Sequence, residues 1–192
     1  MVRDPLAEEE IMGEFVRLES DKASGVATIR IERPPMNAIS KQLAAELSEV
    51  AITQLFEELG AAPTVAETEH GKVYAKDGLT VFVGDIFKLS AKDVGNISGV
   101  YDRAALVALP SQLRAQYASH LMEITHKAPQ LIISFEYNQD ELAGPPFSVN
   151  EHTVASLYAD SYVINRLERS VLEGGLKGKV DAENLVFELV AK

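Results

Sequence analysis

Apolar and polar residues alternate in two short segments near the start of the chain, and the pattern then changes to a helical spacing. Residues 15–19 and 26–31 alternate apolar with polar side chains across a polar, glycine-containing stretch, which is typical of a β-hairpin. Residues 37–60 place apolar side chains three or four positions apart, with Asn37 or Ser40 available as the N-cap and a glycine at the end. This spacing predicts one long amphipathic helix.

Short apolar runs alternate with helical patterns through the rest of the chain. The patterns predict a polar connection over 63–71, strands at 72–75, 79–83, 97–101, 130–137, 162–167 and 185–190, and helices at 90–94, 111–125 and 150–158. The alternation predicts an α/β fold whose sheet is covered on its faces. We expect a single α/β domain over residues 14–192 behind an N-terminal arm, residues 1–13, that is either loose or a short helix.

The helix at 111–125 has the pattern of a core helix. Its apolar residues recur at helical spacing, and the segment is expected to be well capped. The residues that share the apolar face are Leu113, Tyr117, Leu121 and Ile124. We expect them to belong to the hydrophobic core.

A charged pair marks the point where a predicted buried strand gives way to a helix. Asp102 and Arg103 follow the strand at 97–101, and apolar residues up to Pro110 follow them. In open α/β sheets, ligands bind in the crevice outside the carboxyl ends of the strands. Asp102 and Arg103 are therefore candidates for a binding or catalytic site, and the alternative is a structural ion pair at a strand end.

Two further segments are candidates for ligand binding. Asp85 directly follows a predicted strand, where its carboxylate can accept hydrogen bonds from a ribose or an adenine amino group. The alternative is that Asp85 caps the turn before Ser90. Residues 144–147, with the sequence GPPF, form a rigid apolar turn that can serve as the wall or lid of a pocket.

The charge balance restricts the class of partner. The 192 residues include 18 basic and 29 acidic side chains, for a net charge of −11, which disfavours nucleic acid and anionic membranes as partners. A small molecule is the expected partner. Because there is no long apolar run and the N-terminal segment is acidic, a cytoplasmic location is expected.

Several catalytic classes lack their sequence signals. The chain has no cysteine, and its four histidines are dispersed at positions 70, 120, 126 and 152, so no zinc site is expected. Neither a G-x-S-x-G elbow nor a P-loop occurs, which argues against a serine hydrolase and a P-loop nucleotide-triphosphatase.

The segment GVATIRIERPPMNAISKQLAAELSEV resembles the start of the enoyl-CoA hydratase and isomerase (crotonase) family. The resemblance implies that the loop at residues 33–39 helps to bind coenzyme A. Nothing after residue 60 matches the AGAD-type loop that supplies an oxyanion-hole amide in that family. Since an enolate needs such donors, crotonase chemistry is not expected, and a coenzyme A-binding module stays as one alternative.

Five later segments, in the same order, resemble the thiopurine S-methyltransferase family. They are AELSEVAITQLFEELG, KVYAKDGLTVFVGDIFKLSAKDVG, YDRAALVALPSQLRAQYASHL, ISFEYNQDELAGPPFSV and NLVFELV, and they lie within residues 45–192. The resemblance implies a Rossmann-like, S-adenosylmethionine-dependent methyltransferase with a small-molecule acceptor.

The same resemblance implies roles for particular residues. Glu46 would bind the ribose hydroxyls of S-adenosylmethionine, and Asp85 and Ile86 would contact its adenine. On the acceptor side the implied residues are Arg103 with Asp102 beside it, as the catalytic pair, and Pro145 and Phe147, which border the acceptor pocket.

The front of the chain departs from that family. A strand and a glycine loop of the LVPLCGKS type are expected before Glu46, whereas residues 41–59 read as uninterrupted helix. We therefore expect a chimera: residues 14–44 form a crotonase-like hairpin and helix start, and residues 45–192 form the methyltransferase-like body. In the resulting incomplete Rossmann-like sheet, the hairpin and the long helix replace the first strand and the glycine loop.

Loss of that loop implies impaired cofactor binding. The alternative is a chimeric folding scaffold without catalysis, which forms a homodimer through apolar surface that the lost elements leave uncovered.

Overall fold

The computed structural model describes residues 8–11, 16–21, 26–31, 41–103 and 105–192, with side chains from residue 49 onward. Two compact units form within the chain, residues 1–86 and residues 87–192. The mixed α/β class is confirmed, because helices and sheets both occur along the chain. The predicted boundaries, an arm over 1–13 and one domain over 14–192, stay predictions. Within the described ranges, no helix combines the length and the apolar character needed to cross a bilayer.

The N-terminal unit contains two antiparallel sheets of three strands and a long helix. The first sheet is formed in order by β1 (Glu8–Ile11), β2 (Val16–Asp21) and β3 (Val26–Ile31). Helix α1 (Lys41–Glu58) follows, and the second sheet is formed by β4 (Thr64–Thr68), β5 (Gly71–Lys76) and β6 (Leu79–Gly84). Lys72 on β5 donates to Glu49 on α1, with Nζ and Oε1 2.6 Å apart, and this contact ties the helix to the second sheet.

Local sequence signals place the turn and the helix of this unit correctly. Asp77 and Gly78 both have positive φ, 48° and 85°, as a two-residue hairpin turn between β5 and β6 requires. Helix α1 ends where predicted, at Gly60, which has a φ of 63° and donates to the carbonyl of Glu57. Residues 32–40, which hold the predicted N-cap, lie outside the described residues.

Two strands form where the sequence predicts none. Strand β1 lies within the predicted arm and pairs antiparallel with β2. Strand β4 occupies the predicted polar connection, and all five of its residues are exposed. Its register against β5 pairs Thr64 with Ala75, and the Thr64 hydroxyl also donates to the Ala75 carbonyl at 3.0 Å. Backbone pairing, not burial of an apolar face, therefore forms β4.

The C-terminal unit builds one four-stranded sheet with helices between the strands. Its elements are α2 (Ala91–Val94), β7 (Val100–Asp102), α3 (Ala105–Ala108), α4 (Ser111–Ile124), β8 (Gln130–Tyr137), α5 (Glu151–Tyr158), β9 (Tyr162–Val171) and β10 (Ala182–Ala191). The strand order is β7-β8-β10-β9, in which β7 runs parallel to β8 and β10 runs antiparallel to both of its neighbours. The carboxyl ends of β7 and β8 therefore lie at the same edge of the sheet.

One face of this sheet carries the core of the unit. On β10 the side chains of Leu185, Phe187 and Leu189 are fully buried, while the intervening Val186 and Glu188 are at least partly exposed. The period of two places the three apolar residues on one face. Other fully buried side chains of the unit include Leu106, Ile132, Ser134, Val149, Val154, Tyr158 and Tyr162.

The helices and the longer strands of this unit largely follow the sequence prediction. The Asn150 side chain accepts the backbone N–H of Thr153 at 3.0 Å and caps α5 as predicted. Ser90 likewise caps α2 in a capping box with Asp93. Strands β9 and β10 each extend further than predicted, to ten residues.

Three expectations in this unit are wrong: the extent and burial of β7, the capping of α4 and the burial of Leu113. Strand β7 is shorter than predicted and only partly buried. It lies at an edge of the sheet, where Tyr101 is 62% exposed, whereas Asp102 is buried. Helix α4 is not capped by a side chain, because Pro110 occupies the N-cap position. Of its predicted core residues, Leu113 is 36% exposed, while Tyr117, Leu121 and Ile124 are buried.

Close backbone packing at Gly84 predicts that Gly84→Ala destabilises the protein. A Cβ at this position would lie 2.2 Å from the carbonyl oxygen of His70, and backbone atoms cannot yield cheaply. We expect the free energy of unfolding in urea to fall by at least ~2 kcal/mol. Gly99→Ala is the matched control, since its Cβ would lie 3.7 Å from the Pro129 carbonyl oxygen. Equal stability of the two variants would contradict the expectation.

Candidate functional site

Asp102 lies at the carboxyl end of β7 and is 4% exposed. Its Oδ1 accepts the backbone N–H groups of Ala105 and Leu106 at 3.1 and 3.2 Å, and its Oδ2 accepts the hydroxyl of Tyr117 at 2.9 Å. Because the carboxylate is buried, it needs these donors. Asp102 therefore fixes the start of α3 and the buried face of α4 to the end of the strand.

Arg103, which the sequence analysis pairs with Asp102, has a different environment. Arg103 is exposed, and no ion pair between Asp102 and Arg103 occurs in the described part of the chain. Asp102 thus stabilises the end of the strand through hydrogen bonds, and not through the ion pair with Arg103 that was the structural alternative. The catalytic role of Asp102 and the acceptor-binding role of Arg103 stay predictions, and their environments favour Arg103 for direct ligand contact.

Two buried tyrosines lie close to the Asp102 carboxylate. Burial, reinforced by the negative charge of Asp102, raises the pKa of the Tyr117 phenol well above its usual value of 10. Burial also raises the pKa of the Tyr158 phenol, with Asp102 again adding to the effect. The hydroxyl oxygen of Tyr158 has no hydrogen-bond partner among the described residues. Both side chains therefore stay neutral at physiological pH.

The GPPF turn is held in place by hydrogen bonds along its length. The Tyr137 hydroxyl donates to the carbonyl of Pro146 at 2.8 Å, and Lys177 Nζ donates to the carbonyl of Pro145 at 2.7 Å. The backbone N–H of Phe147 donates to Val107 in α3 at 2.6 Å. The predicted rigid wall is thus attached both to the end of β8 and to the helix that Asp102 caps.

A cavity of about 410 Å³ lies beside this wall. One side is formed by residues at the start of α4: Pro110, Ser111, Gln112 and Arg114. The other side is formed by residues after β8: Gln139, Ala143, Phe147 and Ser148. Phe147 lines this cavity and Pro145 does not, and the acceptor-pocket roles of both residues stay predictions.

Sequence reasoning missed Arg114. It is 8% exposed, its Nε donates to the Leu109 carbonyl at 3.0 Å, and its guanidinium carbon lies 5.7 Å from the centre of the Phe147 ring. A signal was present in the sequence, because Arg114 lies three positions before Tyr117 and so shares the buried face of α4.

The proposed donor-side residues lie in the N-terminal unit. Asp85 and Ile86 directly follow β6, where Asp85 is exposed and Ile86 is partly buried. Glu46 lies within helix α1. Asp85 is therefore at a strand end as predicted, whereas Glu46 is not. The three cofactor-binding roles stay predictions.

A second cavity, of about 720 Å³, lies against β8, β9 and β10 and contains a charged cluster. Arg169 forms a two-pronged contact with Glu183, with Nε and Oε1 3.1 Å apart, and its Nη1 lies 3.4 Å from Glu136 Oε2. The hydrogen bond between Arg169 and Glu183 raises the pKa of Arg169 and lowers the pKa of Glu183. The charges in this cluster largely satisfy one another.

Comparison with known proteins gives one consistent family. The family model described as Thiopurine S-methyltransferase (TPMT) matches residues 37–190. A thiopurine S-methyltransferase of Teredinibacter turnerae is 44% identical over 144 residues, which are 75% of this chain and 67% of that protein. The counterpart in Xanthobacter autotrophicus is 46% identical over 145 residues, 76% of this chain and 68% of that protein.

A third relative, from Gluconobacter oxydans, is 38% identical over 142 residues, 74% of this chain and 64% of that protein. The chain thus spans about two thirds of the length of these relatives. The resemblance to thiopurine S-methyltransferases is confirmed, and it begins at residue 37, before the predicted position 45. These comparisons lend no support to a crotonase-like segment, and the loop at 33–39 lies outside the described residues.

The two buried tyrosines predict a loss of stability at alkaline pH. A phenol whose folded pKa is raised contributes stability that is present below pH 10 and is lost as the pH rises toward the folded value. Tyr117→Phe removes one such group, so its free energy of unfolding should fall less steeply above pH 10, by up to ~1.4 kcal/mol per pH unit. Urea unfolding as a function of pH measures both slopes.

The control for this experiment is the range between about pH 7 and 9, where both phenols are neutral whether the chain is folded or unfolded. There the difference in free energy between wild type and Tyr117→Phe should be constant. If the free energies of unfolding of wild type and Tyr117→Phe fell in parallel above pH 10, Tyr117 would not contribute to the loss of stability.

Proposed function

Because the chain belongs to the thiopurine S-methyltransferase family, we propose that it is an S-adenosylmethionine-dependent S-methyltransferase that acts on a small-molecule acceptor. The observation that carries this proposal is the extent of the family match. Residues 37–190 include every residue nominated for the donor and acceptor sites, from Glu46 to Phe147. A net charge of −11 favours a small acceptor over a nucleic acid.

The residues after β6 fit the adenine end of the methyl donor. Asp85 is exposed at a strand end, and Ile86 beside it is partly buried. A carboxylate can accept the hydrogen bond of the adenine amino group, and an apolar side chain can pack against the ring. When bound, S-adenosylmethionine supplies the methyl group, and these residues would hold its adenosine part.

On the acceptor side, Arg103 and the GPPF wall would orient the small molecule. Methyl transfer to a soft nucleophile depends mainly on alignment and on exclusion of water. Arg103 is exposed and can bind the acceptor directly, while Phe147 lines a cavity beside the wall. Asp102 would act as a positioning residue, since its carboxylate already holds α3 and Tyr117.

Donor binding is proposed to be weak. To bind the ribose, Glu46 would have to lie at the end of a strand. It instead lies within helix α1. Strand β6, which leads to Asp85, belongs to a three-stranded antiparallel sheet and not to the sheet of β7 and β8. Both features support an incomplete Rossmann-like arrangement in which α1 stands in the place of the strand that carries the acidic residue.

Calorimetric titration with S-adenosylhomocysteine tests the donor site. We expect measurable heat with the full chain and a loss of about tenfold in affinity in Asp85→Asn, because one charge-assisted hydrogen bond is lost. Asp160→Asn, at an exposed aspartate of the C-terminal unit, is the matched control and should leave the affinity within about twofold. Absence of any heat at ligand excess would overturn the proposed function.

A second variant tests the proposed helical placement of Glu46. If Glu46 lies within α1 when the donor binds, Glu46→Gln should change the affinity for S-adenosylhomocysteine by less than about twofold. A loss of tenfold or more would show that residues 45–48 adopt the strand-end geometry on binding. In that case the proposal of weak donor binding would be wrong, whereas the proposed methyltransferase function would stand.

A further inference from the structure

Arg114 is a buried cation for which the described part of the chain provides no anionic partner. Only 8% of the residue is exposed, and the Leu109 carbonyl accepts its Nε–H at 3.0 Å. No carboxylate among the described residues pairs with Arg114, whereas Arg166 pairs with Glu151 and Arg169 with Glu183. Burial lowers the pKa of Arg114, which reflects the cost of keeping the charge there. A buried charge of this kind calls for an anion at its terminal nitrogens.

The start of α4 adds a second positive feature at the same place. This helix has 14 residues, and its N-cap residue Pro110 provides no side-chain hydrogen bond. The first N–H groups of a helix have no acceptor within the helix and carry a partial positive charge. Ser111 and Gln112, which belong to this first turn, line the same cavity as Arg114. Uncapped helix ends of this kind are suited to anions.

The rest of the cavity wall is neutral and partly apolar. Phe147 lies against the guanidinium of Arg114 and offers an aromatic surface. The Ser148 oxygen accepts the N–H of Tyr137 at 3.1 Å, which leaves the Ser148 hydroxyl proton available to donate into the cavity. Gln139 is engaged within the loop, where its Nε2 donates to Tyr137 and its Oε1 accepts from Ser148. None of the described residues that line this cavity is acidic.

From this geometry we propose that the cavity between the start of α4 and the GPPF turn binds a small organic carboxylate. Its two oxygens would meet the terminal nitrogens of Arg114 and the first turn of α4, and its apolar body would lie against Phe147. A guanidinium suits this ligand because its planar fork matches the two oxygens of a carboxylate. The volume of about 410 Å³ accommodates a ligand with a single aromatic ring. This site does not depend on the proposed methyl transfer.

The first test is calorimetric titration of the full chain, without any methyl donor, with phenylacetate and with its neutral analogue phenylacetamide. We expect phenylacetate to bind at least about tenfold more tightly, because only the acid makes charge-assisted hydrogen bonds. Arg114→Gln, once circular dichroism shows that it is folded, should remove this preference. Equal binding of acid and amide by wild type, or binding of neither, would overturn the proposal.

A surface variant tests the same site without changing the buried arginine. Ser111→Asp places a carboxylate at the exposed first turn of α4, where it should stabilise the helix while competing with an external anion. We expect Ser111→Asp to keep its melting temperature and to lose at least about tenfold in phenylacetate affinity. The neutral isostere Ser111→Asn should stay within about twofold of wild type. Equal affinity of Ser111→Asp and Ser111→Asn would contradict the proposed location.

The carboxylate can belong either to the methyl acceptor or to a separate ligand, and a kinetic comparison distinguishes the two. With S-adenosylmethionine present, (4-sulfanylphenyl)acetate and its amide are compared as acceptors. A preference for the acid in kcat/KM that Arg114→Gln abolishes would place the carboxylate on the acceptor. Equal kcat/KM values, together with phenylacetate binding, would assign the cavity to a separate ligand. A chain inactive in methyl transfer would still bind phenylacetate.

Discussion

The hydrogen bonds of the Asp102 carboxylate are the interaction on which the C-terminal unit depends. One buried side chain joins the end of β7, the first turn of α3 and the inner face of α4. A buried carboxylate without these donors would be strongly destabilising, so the three elements are fixed relative to one another. Phe147 in turn donates to α3, which extends the same support to the GPPF turn. The acceptor side of the proposed site therefore rests on a rigid base.

That rigidity has a functional meaning in a methyltransferase family. Chemistry that relies on alignment gains from walls that do not have to be ordered when the ligand binds. The GPPF turn is held by Tyr137, Lys177 and the backbone of α3, so contacts within the protein fix its geometry without a ligand. The donor side differs, because Glu46 lies in a helix and Asp85 follows an antiparallel strand. The placement of Glu46 and Asp85 is the basis for the proposal that the donor is held weakly.

Features with a strong local signal could be predicted from the sequence. The Asp77-Gly78 turn, the Asn150 cap and the helical spacing of α1 each depend on residues close together in the chain. Strands β1 and β4 were missed because neither sequence shows an alternating apolar period. Each forms by pairing with a neighbouring strand, and β4 is exposed along its whole length. The exposure of Tyr101 was also missed, because a pattern of apolar residues does not reveal which strand lies at an edge.

The candidate site could be predicted only in part. Asp102 was singled out by its place at a strand end, but one of its hydrogen bonds comes from Tyr117, fifteen positions away, and such a long-range contact has no local signature. Arg114 was missed because a charged residue beside an apolar face is ordinarily assigned to solvent. Its guanidinium lies against Phe147 of the GPPF turn, more than thirty positions later, and the local pattern of α4 does not reveal that contact.

The edge position of strand β9 bears on whether strands of other molecules can pair with the sheet. It is one of the two outer strands of the four-stranded sheet, and its register with β10 shifts between Val186 and Phe187. Arg166, Glu168 and Arg169 lie along its length, and all three are exposed. An irregular ladder that carries charges is a poor template for a strand from another molecule, because added strands need a regular row of backbone groups. At this edge of the sheet, the charges and the irregular register of β9 disfavour the addition of a strand from another molecule.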